Sequence, residues 1–182
     1  MGGSMGRSSY KIYNKTHPYF LTCTLVGWVP VFNSPPYTQI ILDSLKFLVK
    51  NKRIRLYAYV IMDTHMHWVA DANDLVKEAG DFKSYTARQI IDESERAGRY
   101  DLLKLFHVLK CWHKRDRMYQ VWQEGSYPKE IISRSMMRQK INYIHNNPVK
   151  KGYVVNPIAW KYSSAANYAG LEGLLPVVTD WD

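Results

Sequence analysis

Two histidines one residue apart, and a tyrosine four residues before an asparagine, are the side chains here whose types and spacing suit joint chemistry. His65-Met66-His67 lies in the run YVIMDTHMHWVA, Tyr59–Ala70. An apolar stretch, Val60-Ile61-Met62, enters a break at Asp63-Thr64, and a second extended run leaves it. Strand side chains alternate faces. His65 and His67 therefore point one way, while Met66, Trp68 and Ala70 point the other way, into a core. Two imidazoles on one face can ligate one metal ion; they can equally be a hydrogen-bonded pair on a half-exposed strand. The second stretch, KINYIHNNPVKKGY, covers Lys140–Tyr153. It predicts a helix to about Asn146, with Pro148 driving the residue before it out of helical geometry. Tyr143 and Asn147 then share a helical face. If that helix packs near the histidine strand, a phenol, an amide oxygen and two imidazoles converge. Otherwise Tyr143 is one of 14 tyrosines that fill core and surface.

The elements that must position these groups follow from periodicity. Pro18–Val26 alternates and predicts a first strand. Tyr37–Lys50 carries Ile40, Ile41, Leu45, Leu48 and Val49 near helical spacing, predicting an amphipathic helix over a sheet. Ile54–Met62 predicts a second strand, antiparallel to the histidine strand across a hairpin. Leu75 to Ala97 predicts a helix with Phe82, Tyr85, Ile90 and Ile91 on its apolar stripe. Gly98 to Arg117 is divided between helix and surface loop, and Tyr119–Gln123 predicts a short strand. Ser133 can cap the helix that carries Tyr143. Val149–Val155 and Pro157–Trp160 read as extended connections, and Ser163–Tyr168 as one short helix. The order strand, helix, strand, strand, helix, strand is that of a ferredoxin-like (RRM-like) α+β sandwich. It implies a central antiparallel sheet with helices mainly on one face and the histidine hairpin near its centre.

Length and composition bound the partners. The 182 residues read as a single domain, 1–182, and the 46% hydrophobic fraction argues against disorder. Gly2-Gly3-Ser4 ahead of Met5 reads as an artificial leader, so residues 1–4 are set aside. No apolar run approaches the ~20 residues of a membrane span. Cys23 and Cys111 make neither a disulfide framework nor a zinc-type pair, which fits a reducing, cytoplasmic setting. The formal charge of +9 favours a polyanionic partner. Two segments concentrate it without an acid: Lys46, Lys50, Lys52, Arg53 and Arg55 in the first, and Arg134, Arg138, Lys140, Lys150 and Lys151 around Tyr143 in the second. Lys83 and Arg88, on the Leu75 to Ala97 helix, could also face DNA.

These motifs resemble a known family. His65-Met66-His67 is similar to the HUH motif of single-strand DNA nucleases. The segment from Tyr143 to Gly152, YIHNNPVKKG, looks like the Tyr-Ile-His-x-Asn-Pro-Val-x-x-Gly signature of the single-tyrosine HUH transposases, including the REP-associated branch. Phe82-Lys83-Ser84-Tyr85, Val121-Trp122-Gln123 and the run from Tyr162 to Tyr168, YSSAANY, match in the expected order along nearly the whole chain. Asp63-Thr64 departs from the Pro-Asn that many members carry before the first histidine, which bears on the hairpin turn more than on the chemistry.

The resemblance implies a transposase that cleaves and rejoins single-stranded DNA with hairpin-bearing ends, leaving a 5′-phosphotyrosine and a free 3′-hydroxyl. A phenol titrates near pH 10 in water, so Tyr143 as nucleophile needs help. A divalent cation can polarise the phosphodiester and orient it, and a covalent intermediate divides breakage and rejoining into two steps. His65, His67 and Asn147 are the ligand set this assigns, suited to Mg²⁺ or Mn²⁺ in a partly open site. His145 is a further general-base candidate. Other classes remain open. An RRM-type binding module would stack bases on sheet aromatics, and no such pattern is visible. A domesticated relative would bind DNA hairpins without cutting, and a hydrolase using activated water would not need Tyr143. A homodimer could complete the site in trans.

Overall fold

The computed structural model describes residues 17–181, so the leader-like residues 1–4 lie outside the described residues. The first strand, β1 (Tyr19–Thr24), alternates as its sequence predicts. Tyr19, Leu21 and Cys23 enter the larger core, whereas Phe20 enters a second, smaller one on the other face. Two prolines open α1 (Pro35–Lys50), where a fixed φ and a missing N–H do no harm. Its Tyr37, Ile41, Leu42, Leu45 and Leu48 are buried. Next come β2 (Arg55–Ile61) and β3 (His65–Asp71), the hairpin that holds both histidines. Asp74 caps α2 (Leu75–Arg96) by accepting the Lys77 N–H at 3.1 Å. After α3 (Tyr100–Val108) and the two-residue β4 (Lys129–Glu130) comes α4 (Arg134–Lys150), which carries Tyr143. Ser133 caps it as predicted, its hydroxyl accepting the Met136 N–H at 3.2 Å. A short α5 (Ala165–Tyr168) follows.

The four strands stand in the order β2-β3-β1-β4, with every neighbouring pair antiparallel. This is the α+β sandwich that the element order implies, and β3 is central. Leu21, Met66, Trp68 and Ala70 face α1 and α2, which form the larger helical layer with α3 packed on α2. The opposite face is not bare. There α4 packs on β2 and β3, with Ile141 and Ile144 against Val60 and Val69.

Gly98 to Arg117 divides as its sequence suggests, helix and then loop, because Leu102, Leu103 and Phe106 recur at helical spacing and are buried. Three local expectations are corrected. The fourth strand is Lys129–Glu130, paired with Phe20 and Tyr19, and not Tyr119–Gln123, where Trp122 makes only an isolated bridge to Leu25. Pro157–Trp160 is not extended throughout, since Pro157–Ala159 forms a 3-10 turn. The third is α4, which does not stop before Pro148. It runs to Lys150, with Pro148 inside it and Asn147 accepting the Lys151 N–H at 3.1 Å. An interior proline costs a helix about 3 kcal/mol; here the ring is buried against the fold, and that packing offsets the loss.

The outer edge of β2 is occupied. Tyr162 O accepts the Ile61 N–H at 2.9 Å, the Ser164 N–H reaches Tyr59 O at 3.0 Å, and the Val178 N–H reaches Leu56 O at 2.8 Å.

Candidate active site

Strand alternation decides which side chains meet. On the α4 side of the sheet, register pairs Thr22 with His67 and Thr24 with His65. His65 and His67 are both buried, on one face, with ring centroids 4.8 Å apart. Thr22 Oγ1 lies 2.8 Å from His67 Nδ1, and Thr64 Oγ1 lies 3.0 Å from His65 Nδ1. With each hydroxyl accepting from an Nδ1–H, both Nε2 atoms keep a lone pair for a cation. Phe20 stacks on the other side of His67, at 5.2 Å and 25°.

From above, α4 lowers Tyr143 toward this pair. Its ring sits 5.3 Å from His67 and 5.8 Å from Phe20, yet remains 40% exposed, so the phenol borders both the histidines and solvent. One turn further, Asn147 is buried on the same helix. The helix therefore brings together the phenol and both imidazoles, with Asn147 on the turn that follows Tyr143.

Electrostatics favour neutral, ligating imidazoles. Burial pushes His67 down to about 3, helped by His65 and Lys140. Burial also lowers His65, with Asp63 opposing and Lys151 assisting. Both rings then hold their lone pairs at neutral pH, which suits ligands of a hard divalent ion. The chemistry of the donor set thus fits the cation that the motif implies.

Of the remaining sequence-predicted residues, Lys140 lies 5.0 Å from the Phe20 ring and Lys150 5.6 Å from the Tyr143 ring. Lys151 is near enough to His65 to depress it. Arg134 and Arg138 stand on the exposed side of α4's first turns. Lys83 is a correction. Its ammonium donates to Gln123 O at 2.7 Å and Gly125 O at 3.0 Å, and burial lowers it. It braces a loop and does not face outward. Arg88 stands exposed on α2, on the opposite face of the sheet from the histidines, and pairs with Asp92 at 2.9 Å. The first basic segment is partly neutralised: Arg53 pairs with Glu78 and Asp81, and Arg55 with Asp71.

His145 is no general base for Tyr143. Its Nε2 lies 2.9 Å from Ser164 Oγ, which in turn accepts the Tyr59 N–H at 3.0 Å. It is buried against Tyr168 at 5.1 Å, and burial pushes it down to about 4. The pair latches α4 to β2. The departure at Asp63-Thr64 is accommodated, because Asp63 accepts the Tyr153 hydroxyl at 2.8 Å and Thr64 supports His65.

Sequence reading missed Thr22 and Trp28. Thr22 had a signal, since it has the parity of β1 opposite the core residues. Trp28 follows Gly27 in a short 3-10 turn, Val26–Trp28, and stands edge-on to His65 at 5.6 Å with φ 55°. That backbone conformation costs a non-glycine residue about 1–2 kcal/mol. One other group of ligand-type side chains occurs among the described residues: Cys111, His113 and Glu124, with ligand atoms within 4.8 Å. Glu124 is already paired with Lys114 at 2.6 Å and lies 3.2 Å from His113 Nε2.

Burial of His67 and His145 as neutral rings has a pH consequence. An unfolded histidine titrates near 6.5, whereas these two take up protons in the fold only near 3 and 4. Between those values and about 6.5 the unfolded chain binds more protons, so stability rises with pH across that window. The metal-free protein should therefore hold its thermal midpoint above about pH 6.5 and lose it steadily as pH falls toward 4. Thermal denaturation in chelator across pH checks this, and His145→Gln should flatten part of the slope. A midpoint independent of pH in the parent would contradict the neutral burial.

No protein-family model matches the chain, and no curated protein does. Among solved structures, a REP-associated tyrosine transposase bound to a REP hairpin superposes with a TM-score of 0.64 at 19% identity, over 96% of this chain and 94% of that one. A candidate transposase from Deinococcus radiodurans R1 aligns more loosely, at TM-score 0.41 and 18% identity over 78% of this chain and 97% of that one. The class is thus defined by architecture: an α+β sandwich with the fold of a tyrosine transposase. More particularly, the fold is that of the REP-associated tyrosine transposase.

Proposed function

We propose that the protein is a transposase-type endonuclease. It cuts and rejoins single-stranded DNA at hairpin-bearing ends through a 5′-phosphotyrosine on Tyr143, with Mg²⁺ or Mn²⁺ held by His65, His67 and Asn147. The observation that carries this reading is the 5.3 Å approach of a solvent-bordering phenol to His67, itself 4.8 Å from His65. The solved neighbour bound to a REP hairpin supports hairpin DNA as the partner. Tyr143 and His67 meet within one chain, which favours a site completed in cis; a homodimer is then not needed for chemistry.

When bound, the cation supplies Lewis-acid polarisation of a phosphate oxygen and orientation for in-line displacement. The chain's own residues do the rest. Tyr143 gives its phenolic proton to solvent as its oxygen bonds to phosphorus. The P–O3′ bond breaks, and the departing oxygen takes up a proton to become a free 3′-hydroxyl. The 5′-phosphate stays on Tyr143 until a 3′-hydroxyl attacks and restores the phenol. Lys140, Lys150 and Lys151 offset phosphate charge beside the nucleophile.

The test is incubation with an end-labelled hairpin bearing single-stranded flanks, with Mg²⁺ or Mn²⁺, read on a denaturing gel. A protein-linked strand is expected. Cutting without an adduct would point to activated water instead. Binding without cutting under any metal would leave a domesticated, non-cleaving hairpin binder.

Binding itself should be salt-sensitive, because the acid-free segment around Tyr143 meets the strand. Log affinity should fall linearly with log salt, by about 0.7 for each phosphate neutralised on a single strand. Anisotropy titrations across salt concentrations measure the slope. A flat response would remove nucleic acid as the partner.

A further inference from the structure

We propose that Trp28 is a base-stacking platform, a subsite for the nucleobase beside the phosphate that lies over His65 and His67. It rests on the nuclease reading for its ligand and goes beyond it in assigning a contact to a base.

Trp28 is 58% exposed, so the core does not claim its indole. The backbone nonetheless holds it in the left-handed region, φ 55°, directly after Gly27 at φ 60°. That turn is braced from several sides. The Trp28 N–H bonds Leu25 O at 3.1 Å, and the Val26 N–H bonds Val121 O at 2.9 Å. Gly27 packs against the Leu109 side chain, whose Cδ1 would have to move from a Cβ 2.5 Å away, and its φ of 60° favours glycine. Just beyond, the Phe32 N–H bonds Asp63 O at 3.0 Å, tying the loop to the turn that precedes His65. A strained bulky residue that is exposed and yet fixed points to a use for its side chain.

The neighbours say what use. Rings run in series from Trp28 to His65 at 5.6 Å, His65 to His67 at 4.8 Å, and His67 to Phe20 at 5.2 Å, with the Lys140 ammonium beyond Phe20. A single strand crossing with a phosphate above the histidines brings an adjacent base to the indole. Unpaired bases stack on aromatic faces irrespective of sequence.

The test uses the full chain in chelator, where no cutting occurs, and a fluorescein-labelled hairpin with single-stranded flanks. Abasic sites are placed one at a time along the flanks, and affinity is read by anisotropy. In the parent, one position should cost about 10- to 100-fold in affinity. In Trp28→Ala the intact probe should weaken by a similar factor, and the penalty at that one position should vanish while the others persist. Trp28→Phe should fall between. Trp28→Gly relieves the backbone, so its thermal midpoint should equal or exceed the parent's while affinity drops as in the alanine variant. Equal abasic penalties in parent and Trp28→Ala would overturn the platform, as would a Trp28→Gly midpoint that falls with affinity. A protein that shows this signature but never cuts loses the nuclease reading alone; one that cuts without the signature loses the platform alone.

Discussion

Tyr143→Phe is expected to abolish cleavage and the covalent adduct together, lowering the cutting rate by about 10⁴-fold or more, the scale of losing a covalent nucleophile. The fold should not notice. Phenylalanine keeps the ring that borders His67 at 5.3 Å and Phe20 at 5.8 Å, and Tyr143 is already 40% exposed. Removing one exposed hydroxyl should change DNA affinity by no more than about two- to fivefold. The measurement pairs a denaturing gel of end-labelled DNA with anisotropy on the same preparation. If the phenylalanine variant cuts at the parent's rate, the tyrosine mechanism is wrong whatever the metal does.

The histidine pair should fail differently. His65→Ala or His67→Ala should lower cleavage by about 100-fold or more while leaving Tyr143 in place, with part of the rate recovered at high Mn²⁺. Thr22→Val tests the support beneath His67: it keeps the strand's shape but removes the hydroxyl 2.8 Å from Nδ1. A hydrogen bond of this kind behind a ligating ring is typically worth about 10- to 100-fold in metal affinity. Cleavage against metal concentration reads this directly, and so does the rise in thermal midpoint on adding Mn²⁺, since a ligand of the folded state stabilises it by mass action. An undiminished Mn²⁺-induced rise in a variant lacking both histidines would take the ion away from this face.

The parts of this site that were legible in the sequence depend on local geometry. Alternation alone puts His65 and His67 on one face, and helical spacing alone puts Tyr143 above Asn147. What was not legible depends on tertiary packing. Pro148 reads as a stop because the rule weighs only the residue before it, whereas the buried ring is held by the fold around α4. Lys83 reads as a solvated cation on a helix; only the folded loop shows the Gln123 and Gly125 carbonyls that capture it. His145 sits inside the signature, but on a helical face that turns it to Ser164, a partner 19 residues away. Threonines are ordinary in strands, so Thr22 becomes informative only once register sets it opposite His67.

The occupied margin of β2 also bears on assembly. An open sheet edge is a template onto which another chain can add a strand, and proteins that avoid unwanted polymers protect such edges. Here the Tyr59, Ile61 and Leu56 backbone groups are already spoken for by the segment that follows α4. At the other margin, β4 is two residues long and includes an exposed lysine, Lys129. Two copies of this domain therefore find little backbone to share. Among the described residues, joining copies edge to edge at the β2 margin would first require the segment after α4 to be displaced from β2.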